Sequence, residues 1–215
     1  MPGAESTPCE ERMTFKALIF DFEGTLVNFA WDLSKAVKEA KSVLEERGIE
    51  IESSNYAEIY NFVASYHPSL ISLIDNIYDK YDLEAFKRWK LREGVKEVLE
   101  KLRVKKAVVS NVSKDVLKKA LEKFQIAGSF EVVIGRKDVQ LLKPSPMGIL
   151  KAIESLKVSK KDVLFVGDSR SDVEACKRAG IKIAVLEGEN KFSELDADYK
   201  LNSFSDILSL PIQGL

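Results

Sequence analysis

The side chains best suited to chemistry stand just past short apolar runs. Asp21 and Glu23, with Thr25 close behind, follow Ala17, Leu18, Ile19 and Phe20; Ser110 and Asn111 follow a run ending at Val109; Asp168 and Asp172 follow one ending at Val166; Lys143 stands in a loop ahead of a predicted helix. A carboxylate can attack phosphorus and become an acyl phosphate. Nucleophile and phosphate are both anionic, so such a site must add positive charge. Asp21 with Asp168 can hold a hard divalent cation, and Mg²⁺ prefers carboxylates, waters and substrate oxygen. Lys143 supplies a further fixed positive charge, while Ser110 and Asn111, with nearby backbone N–H groups, can hydrogen-bond phosphoryl oxygens. A second carboxyl group can protonate the leaving oxygen and later activate water, and Glu23 is available for that work. Each residue alone has an ordinary structural reading. Asp21 can hydrogen-bond its own turn, Asp168 or Ser171 can cap the next helix with Asp172 favoured by its dipole, and Lys143 can be a surface lysine. Their shared position at strand ends is what argues for chemistry.

The elements that must place them follow from the hydrophobic pattern. The run at 17–20 is too short for a helix and is rich in β-formers, so it reads as a strand buried on both faces, ended by Asp21 and the turn at Gly24. Leu33, Ala36, Val37, Ala40, Val43 and Leu44 share one helical face between a capping Asp32 and Gly48. A second helix is expected over 56–66, stopped by His67-Pro68. Leu70, Leu73, Ile74, Ile77, Tyr78 and Tyr81 mark a third, and a short fourth runs through Phe86 and Trp89. Beyond it the pattern alternates: helix 94–102, strand 104–109, a helix capped by Ser113, strand 131–134, helix 147–156, strand 162–166, a helix ending near Gly180, strand 181–186 and a short last strand at 198–201. Strands alternating with helices predict an α/β, doubly wound parallel sheet, in which ligands bind beyond the carboxyl ends of the strands. The helical block reads as a small inserted domain over 29–91, the α/β core as 13–28 with 92–215, and residues 1–12 as a loose, flexible arm.

Composition narrows the classes. Of 215 residues, 45% are hydrophobic, enough for a real core. Lys and Arg number 33 against 34 Asp and Glu, which argues against a nucleic-acid partner. Lys105–Lys106, Lys118–Lys119 and Lys160–Lys161 read as solvated faces. Two cysteines, Cys9 and Cys176, suit a reducing compartment, and no apolar run has transmembrane or signal-peptide character, so a cytoplasmic protein without a membrane partner is expected. His67, the single histidine, excludes multi-histidine metal sites and reads as a loop residue. Trp31 and Trp89 read as packing near the ends of the insert, Arg88, Lys90 and Arg92 as a solvated basic cluster, and Cys176 as core.

DFEGTL at 21–26, Ser110-Asn111, Lys143-Pro144 and GDSRSD at 167–172 together resemble the ordered motifs of the haloacid dehalogenase-like (HAD) hydrolase superfamily. The resemblance runs over 16–186. It implies a Rossmann-like core with Asp21 as nucleophile, and Mg²⁺ held by Asp21, the backbone carbonyl of Glu23 and Asp168, with Asp172 in support. It further implies that Ser110 and Lys143 bind the phosphoryl group, that Asn111 orients the site, and that the inserted helices are a type 1 cap that selects substrate. The usual first motif has Asp where this chain has Glu23, and a misplacement near 1 Å can cost about 10²-fold in rate. The expectation is a Mg²⁺-dependent phosphatase for a small phosphorylated metabolite, phosphoglycolate-like or a sugar phosphate, working as monomer or homodimer. Alternatives are a binding or regulatory protein of this fold, a haloacid dehalogenase and a phosphomutase.

Overall fold

The computed structural model describes residues 14–186 and 195–214. The arm expected over 1–12, and Cys9 within it, lie outside the described residues. Six strands form one parallel sheet: β1 (Ala17–Phe20), β2 (Lys105–Val109), β3 (Val132–Ile134), β4 (Val163–Gly167), β5 (Lys182–Leu186) and β6 (Tyr199–Leu201). Their spatial order is β3-β2-β1-β4-β5-β6. β1 therefore lies between β2 and β4, with Phe20 beside Val108 on one side and Val166 on the other. The chain winds one way from β1 to β3 and the other way from β4 to β6, so the crevice between the ends of β1 and β4 is a topological switch point, where ligands settle in open α/β sheets.

Alternation along each strand makes two cores. Leu18, Phe20, Val108, Leu164 and Val166 pack with α4 (Val95–Lys101) and α5 (Lys114–Lys123). Ala17, Ile19, Ala107, Val109 and Phe165 pack with α6 (Met147–Leu156) and α7 (Arg170–Ala179), and Cys176 is buried there, as the sequence suggested. Both faces of β1 are covered, which is why its sequence is an unbroken apolar run rather than an alternation.

Between β1 and α4 lie α1 (Leu33–Glu45), α2 (Tyr56–Tyr66) and α3 (Ile71–Arg88). Asp32 caps α1 through the Lys35 N–H, and Asn55 caps α2 through the N–H groups of Ala57 and Glu58. The two segments joining this insertion to the core run side by side: Asn28 N donates to Lys90 O at 3.1 Å, Lys90 N donates to Asn28 Oδ1 at 2.6 Å, and Val27 bridges Leu91 antiparallel. The separate fourth helix does not exist, because α3 runs unbroken through Phe86 to Arg88. The apolar stripe that seemed to stop at Tyr81 is interrupted by Asp75 and Asp82, which are buried because Arg136, itself fully buried, binds them from the segment after β3. Leu33 also departs from expectation. It is 41% exposed rather than packed inward with its neighbours on α1. Among the described residues no helix is long and apolar enough to cross a membrane.

Candidate active site

Asp21 is the first residue beyond β1, its N–H donating to Val166 O at 2.9 Å. Asp168 is the first residue beyond β4. The chain then turns through Ser169, whose hydroxyl caps α7 in a capping box with Asp172. Asp172 is fully buried, and its Oδ2 accepts from the N–H groups of Asp168 and Ser169 and from Ser169 Oγ, while its Oδ1 accepts from Lys143 Nζ at 2.6 Å. Lys143 Nζ also lies 2.7 Å from Asp21 Oδ1. The loop carrying Lys143 is fixed by a reciprocal pair: Lys143 N donates to Asn111 Oδ1, and Asn111 Nδ2 donates to Lys143 O. Residues from four distant stretches thus meet at the switch point.

Gly24 makes the approach of β1 and β4 loops possible. Its φ is +90°, and a Cβ there would sit 2.2 Å from Asp168 Oδ2. Thr25, expected beside the substrate, is instead fully buried and donates its hydroxyl to Asp168 Oδ1 at 3.2 Å. Its small β-branched side chain serves to orient that carboxylate. Ser110 lines the cavity, and its Oγ accepts from the Val112 N–H.

Burial and neighbouring charge set the protonation of Asp21, Asp168 and Lys143. Burial pushes Asp21 up to about 6, against the attraction of Lys143 and with the repulsion of Asp172. Burial pushes Asp168 up to about 8, helped by Asp172 and Asp21. Burial alone would weaken the Lys143 ammonium, but Asp172 and Asp21 outweigh it and hold Lys143 above the ordinary lysine range. Among the described residues, Asp21, Asp168 and Asp172 form an acidic group whose donor oxygens all lie within 4.8 Å of one another. An all-oxygen donor set of this kind fits a hard dication such as Mg²⁺, whose charge would favour the ionised carboxylates.

A cavity of about 660 Å³ opens over the cluster. Its floor is Asp21, Ser110, Asn111, Lys143 and Asp168, and its opposite wall comes from the insertion through Phe29, Trp31, Leu33 and Tyr56. Glu23 lines the cavity beside the joint between insertion and core and is only partly buried. Oε1 accepts from Ala30 N at 2.7 Å and from Trp89 Nε1 at 2.8 Å. Burial pushes Glu23 up to about 7. His67 caps the end of α2 in a loop. Arg92, expected in a solvated cluster, is half-buried and donates to Gly24 O at 2.6 Å.

Sequence reasoning missed four contributors. Trp89 is a donor and not packing alone. Tyr56 accepts from Asn111 Nδ2 at 3.0 Å and so joins α2 to the loop after β2. Asp82 accepts from Trp31 Nε1 and from the Ser113 N–H. Arg136 binds Asp75, Asp79 and Asp82. Only the acids left a trace in the sequence, as an i, i+4, i+7 row on α3.

Comparison with known proteins adds an independent line. The family model described as haloacid dehalogenase-like hydrolase matches residues 18–186. A phosphoglycolate phosphatase of Aquifex aeolicus is 30% identical over 211 residues, 91% of this chain and 96% of that protein. A pyrophosphatase PpaX of Listeria welshimeri is 28% identical, covering 90% of this chain and 94% of its own. Among solved structures, one from Clostridium acetobutylicum described as a predicted phosphatase superposes with a TM-score of 0.68 at 21% identity, over 92% of this chain and 100% of that one. One from Haemophilus somnus described as a predicted phosphoglycolate phosphatase gives 0.66 at 24% identity, over 91% and 97%.

Proposed function

The chain belongs to the haloacid dehalogenase-like hydrolase family, and from that premise we propose that it is a phosphatase that hydrolyses a small phosphorylated metabolite through an aspartyl-phosphate intermediate. The observation that carries the reading is the Lys143 ammonium 2.7 Å from Asp21 Oδ1, at a sheet switch point shared with Asp168 and Asp172. An isolated carboxylate repels a phosphate dianion; one paired with an ammonium and facing a cation site does not.

Asp21 attacks phosphorus with a carboxylate oxygen while the bond from phosphorus to the leaving oxygen breaks, and Glu23 gives that oxygen its proton. Water then attacks the same phosphorus, Glu23 takes the water's proton, and the bond to Asp21 breaks, returning the carboxylate and inorganic phosphate. Lys143, Ser110 and Asn111 hold the phosphoryl oxygens throughout. Asp21, with its carboxyl near 6, is largely ionised at neutral pH, whereas Glu23 near 7 populates both forms, as a group that serves first as acid and then as base requires. Asp21, Asp168 and the Glu23 backbone carbonyl, with Asp172 in support, would hold Mg²⁺, whose chemistry here is to neutralise charge on the phosphoryl oxygens. The insertion over 29–91 acts as a cap that closes the site from water and shapes it around the leaving group. The names of the two relatives favour a phosphoglycolate-like acid or a diphosphate over a sugar phosphate as first substrate to try.

The test is phosphate release by the purified protein from a panel of phosphate esters and pyrophosphate, with Mg²⁺ and with chelator. Turnover that needs Mg²⁺ and disappears in Asp21→Asn supports the reading. Metal-independent turnover, or activity surviving Asp21→Asn, contradicts it, and halide release from a 2-haloacid would move the chain to the dehalogenases.

A further inference from the structure

We propose that Trp89 is the positioning residue for Glu23, a role that rests on the acid–base reading of Glu23 above. Glu23 Oε1 accepts from Ala30 N at 2.7 Å and from the indole Nε1 of Trp89 at 2.8 Å, and the Trp31 backbone N–H also bears on the carboxylate. The Ala30 and Trp89 donors come from the two segments that tie the insertion to the core, and these segments are bonded to each other through Asn28 and Lys90. The carboxylate therefore closes a joint whose three members must be in place together.

Trp89 is a rigid donor. It is 2% exposed, and its ring meets Phe22 edge-on at 4.9 Å and Phe86 edge-on at 6.2 Å. Phe22 sits between Asp21 and Glu23, so the indole is packed against the same stretch that carries the nucleophile. The glutamate matters here. An aspartate on this backbone would end about 1.5 Å sooner, one C–C bond short of these donors. The longer side chain reaches both, and the two bonds hold its carboxyl plane against rotation that an extra torsion would otherwise allow. Without the indole, the carboxylate is held only by backbone N–H groups of Ala30 and Trp31, both on the entering segment, and loses its tie to the returning one. The phosphoryl-binding groups Lys143 and Ser110 do not touch Trp89, so the loss falls on proton delivery to the leaving oxygen.

Trp89→Phe keeps the ring and removes the donor. For 2-phosphoglycolate, whose alkoxide must be protonated as it leaves, kcat/KM should fall by about tenfold or more, the range of a hydrogen bond to a charged group. For 4-nitrophenyl phosphate, whose phenolate leaves without a proton, the fall should stay under about threefold. Equal losses on both esters would mean a structural role and overturn the proposal. A second readout does not depend on turnover. The chain has two tryptophans, so an ¹H–¹⁵N spectrum has two indole peaks, assigned by Trp89→Phe. Glu23→Gln, which leaves the aromatic packing intact, should shift the Trp89 peak and leave Trp31 in place; an unmoved Trp89 peak refutes the contact. If the parent hydrolyses neither ester, the phosphatase reading falls, and the indole peak still decides whether Trp89 holds Glu23.

Discussion

Replacing Gly24 by alanine should separate backbone strain from displacement of the Asp168 carboxylate. Gly24 has φ +90°, and a Cβ on it would stand 2.2, 2.5 and 2.6 Å from Asp168 Oδ2, Cγ and Oδ1. Ordinary contact begins at 3.4 Å, so the carboxylate must retreat by about 1.2 Å, and misplacements near 1 Å cost about 10²-fold. Asp168 cannot retreat freely, because Thr25 Oγ1 holds its Oδ1 and its own N–H is bound by Asp172. The expected result is a fall of about 100-fold in kcat/KM for phosphate release, with a higher Mg²⁺ concentration needed for half-maximal rate. Gly48 is the internal control. Its φ is +71°, but nothing lies within 4 Å of a Cβ there. Left-handed strain of about 1–2 kcal/mol should lower the Tm of either variant by about 2–8 °C for a chain of this size. Gly48→Ala should show that loss alone, with parental rate and Mg²⁺ dependence. A Gly24→Ala protein that keeps more than about a tenth of the parental rate, or a Gly48→Ala protein that loses as much, would refute the claim that Asp168 is held where it is by the absence of a side chain at Gly24.

Arg136→Met should lower Tm by about 6–20 °C at pH 7, because removing one partner of a buried ion cluster costs about 3–5 kcal/mol, and the deficit should narrow on acidification, because burial raises Asp82 and its protonation removes the uncompensated buried charge. Thermal melts of both proteins at pH 7 and pH 5 check this, and equal deficits at the two pH values would count against it. Metal-free protein should lose stability as pH rises from about 4 to about 8. Asp21, Glu23 and Asp168 are raised to about 6, 7 and 8 in the fold, so within this window the folded state binds more protons than the unfolded state and the slope is negative. Mg²⁺ should flatten most of that slope by favouring the ionised acids, which melts across pH in chelator and in excess Mg²⁺ would reveal; parallel curves would mean that no cation binds there.

The sheet was legible in the sequence because its strands are buried on both faces and end at polar residues, so each boundary is a change of composition: Phe20 to Asp21, Val109 to Ser110, Gly167 to Asp168. Those same boundaries carry most of the candidate site, which is why Asp21, Ser110 and Asp168 could be named before their contacts were seen. Legibility fell in the insertion. Periodicity reports which positions are buried, and it assumes that buried means apolar. On α3 that assumption fails at Asp75 and Asp82, so one helix of 18 residues read as two shorter ones. Leu33 fails it in the other direction, an apolar side chain left exposed because it faces the cavity. Trp89 and Thr25 were unreadable for a different reason. Their importance lies in one polar atom each, aimed at a partner 66 or 143 residues away, and nothing local encodes that aim.

Among the described residues two groups of three aspartates lie near a buried cation, and the choice of cation decides what each can do. On α3, Asp75, Asp79 and Asp82 surround Arg136, whose planar guanidinium has enough donors to meet all three and to bond Asn111 O as well. These carboxylates already face a guanidinium, and the effect of the cluster is to bind the insertion to the core. At the sheet edge, Asp21, Asp168 and Asp172 face Lys143, a point charge on a flexible stem with ion pairs to Asp21 and Asp172. Burial raises Asp21 and Asp168 to about 6 and 8, and both line a cavity of about 660 Å³ from which a cation could reach them. Placing Arg at 143 would extend the donor fork into the space that a cation and a phosphoryl oxygen need, so Lys143→Arg should preserve the charge and the fold yet lose both Mg²⁺ affinity and turnover. Isothermal titration with Mg²⁺ beside a phosphate-release assay separates the cases: a Lys143→Arg protein that binds Mg²⁺ and turns over like its parent would show that positive charge alone, and not its compactness, is what the site demands.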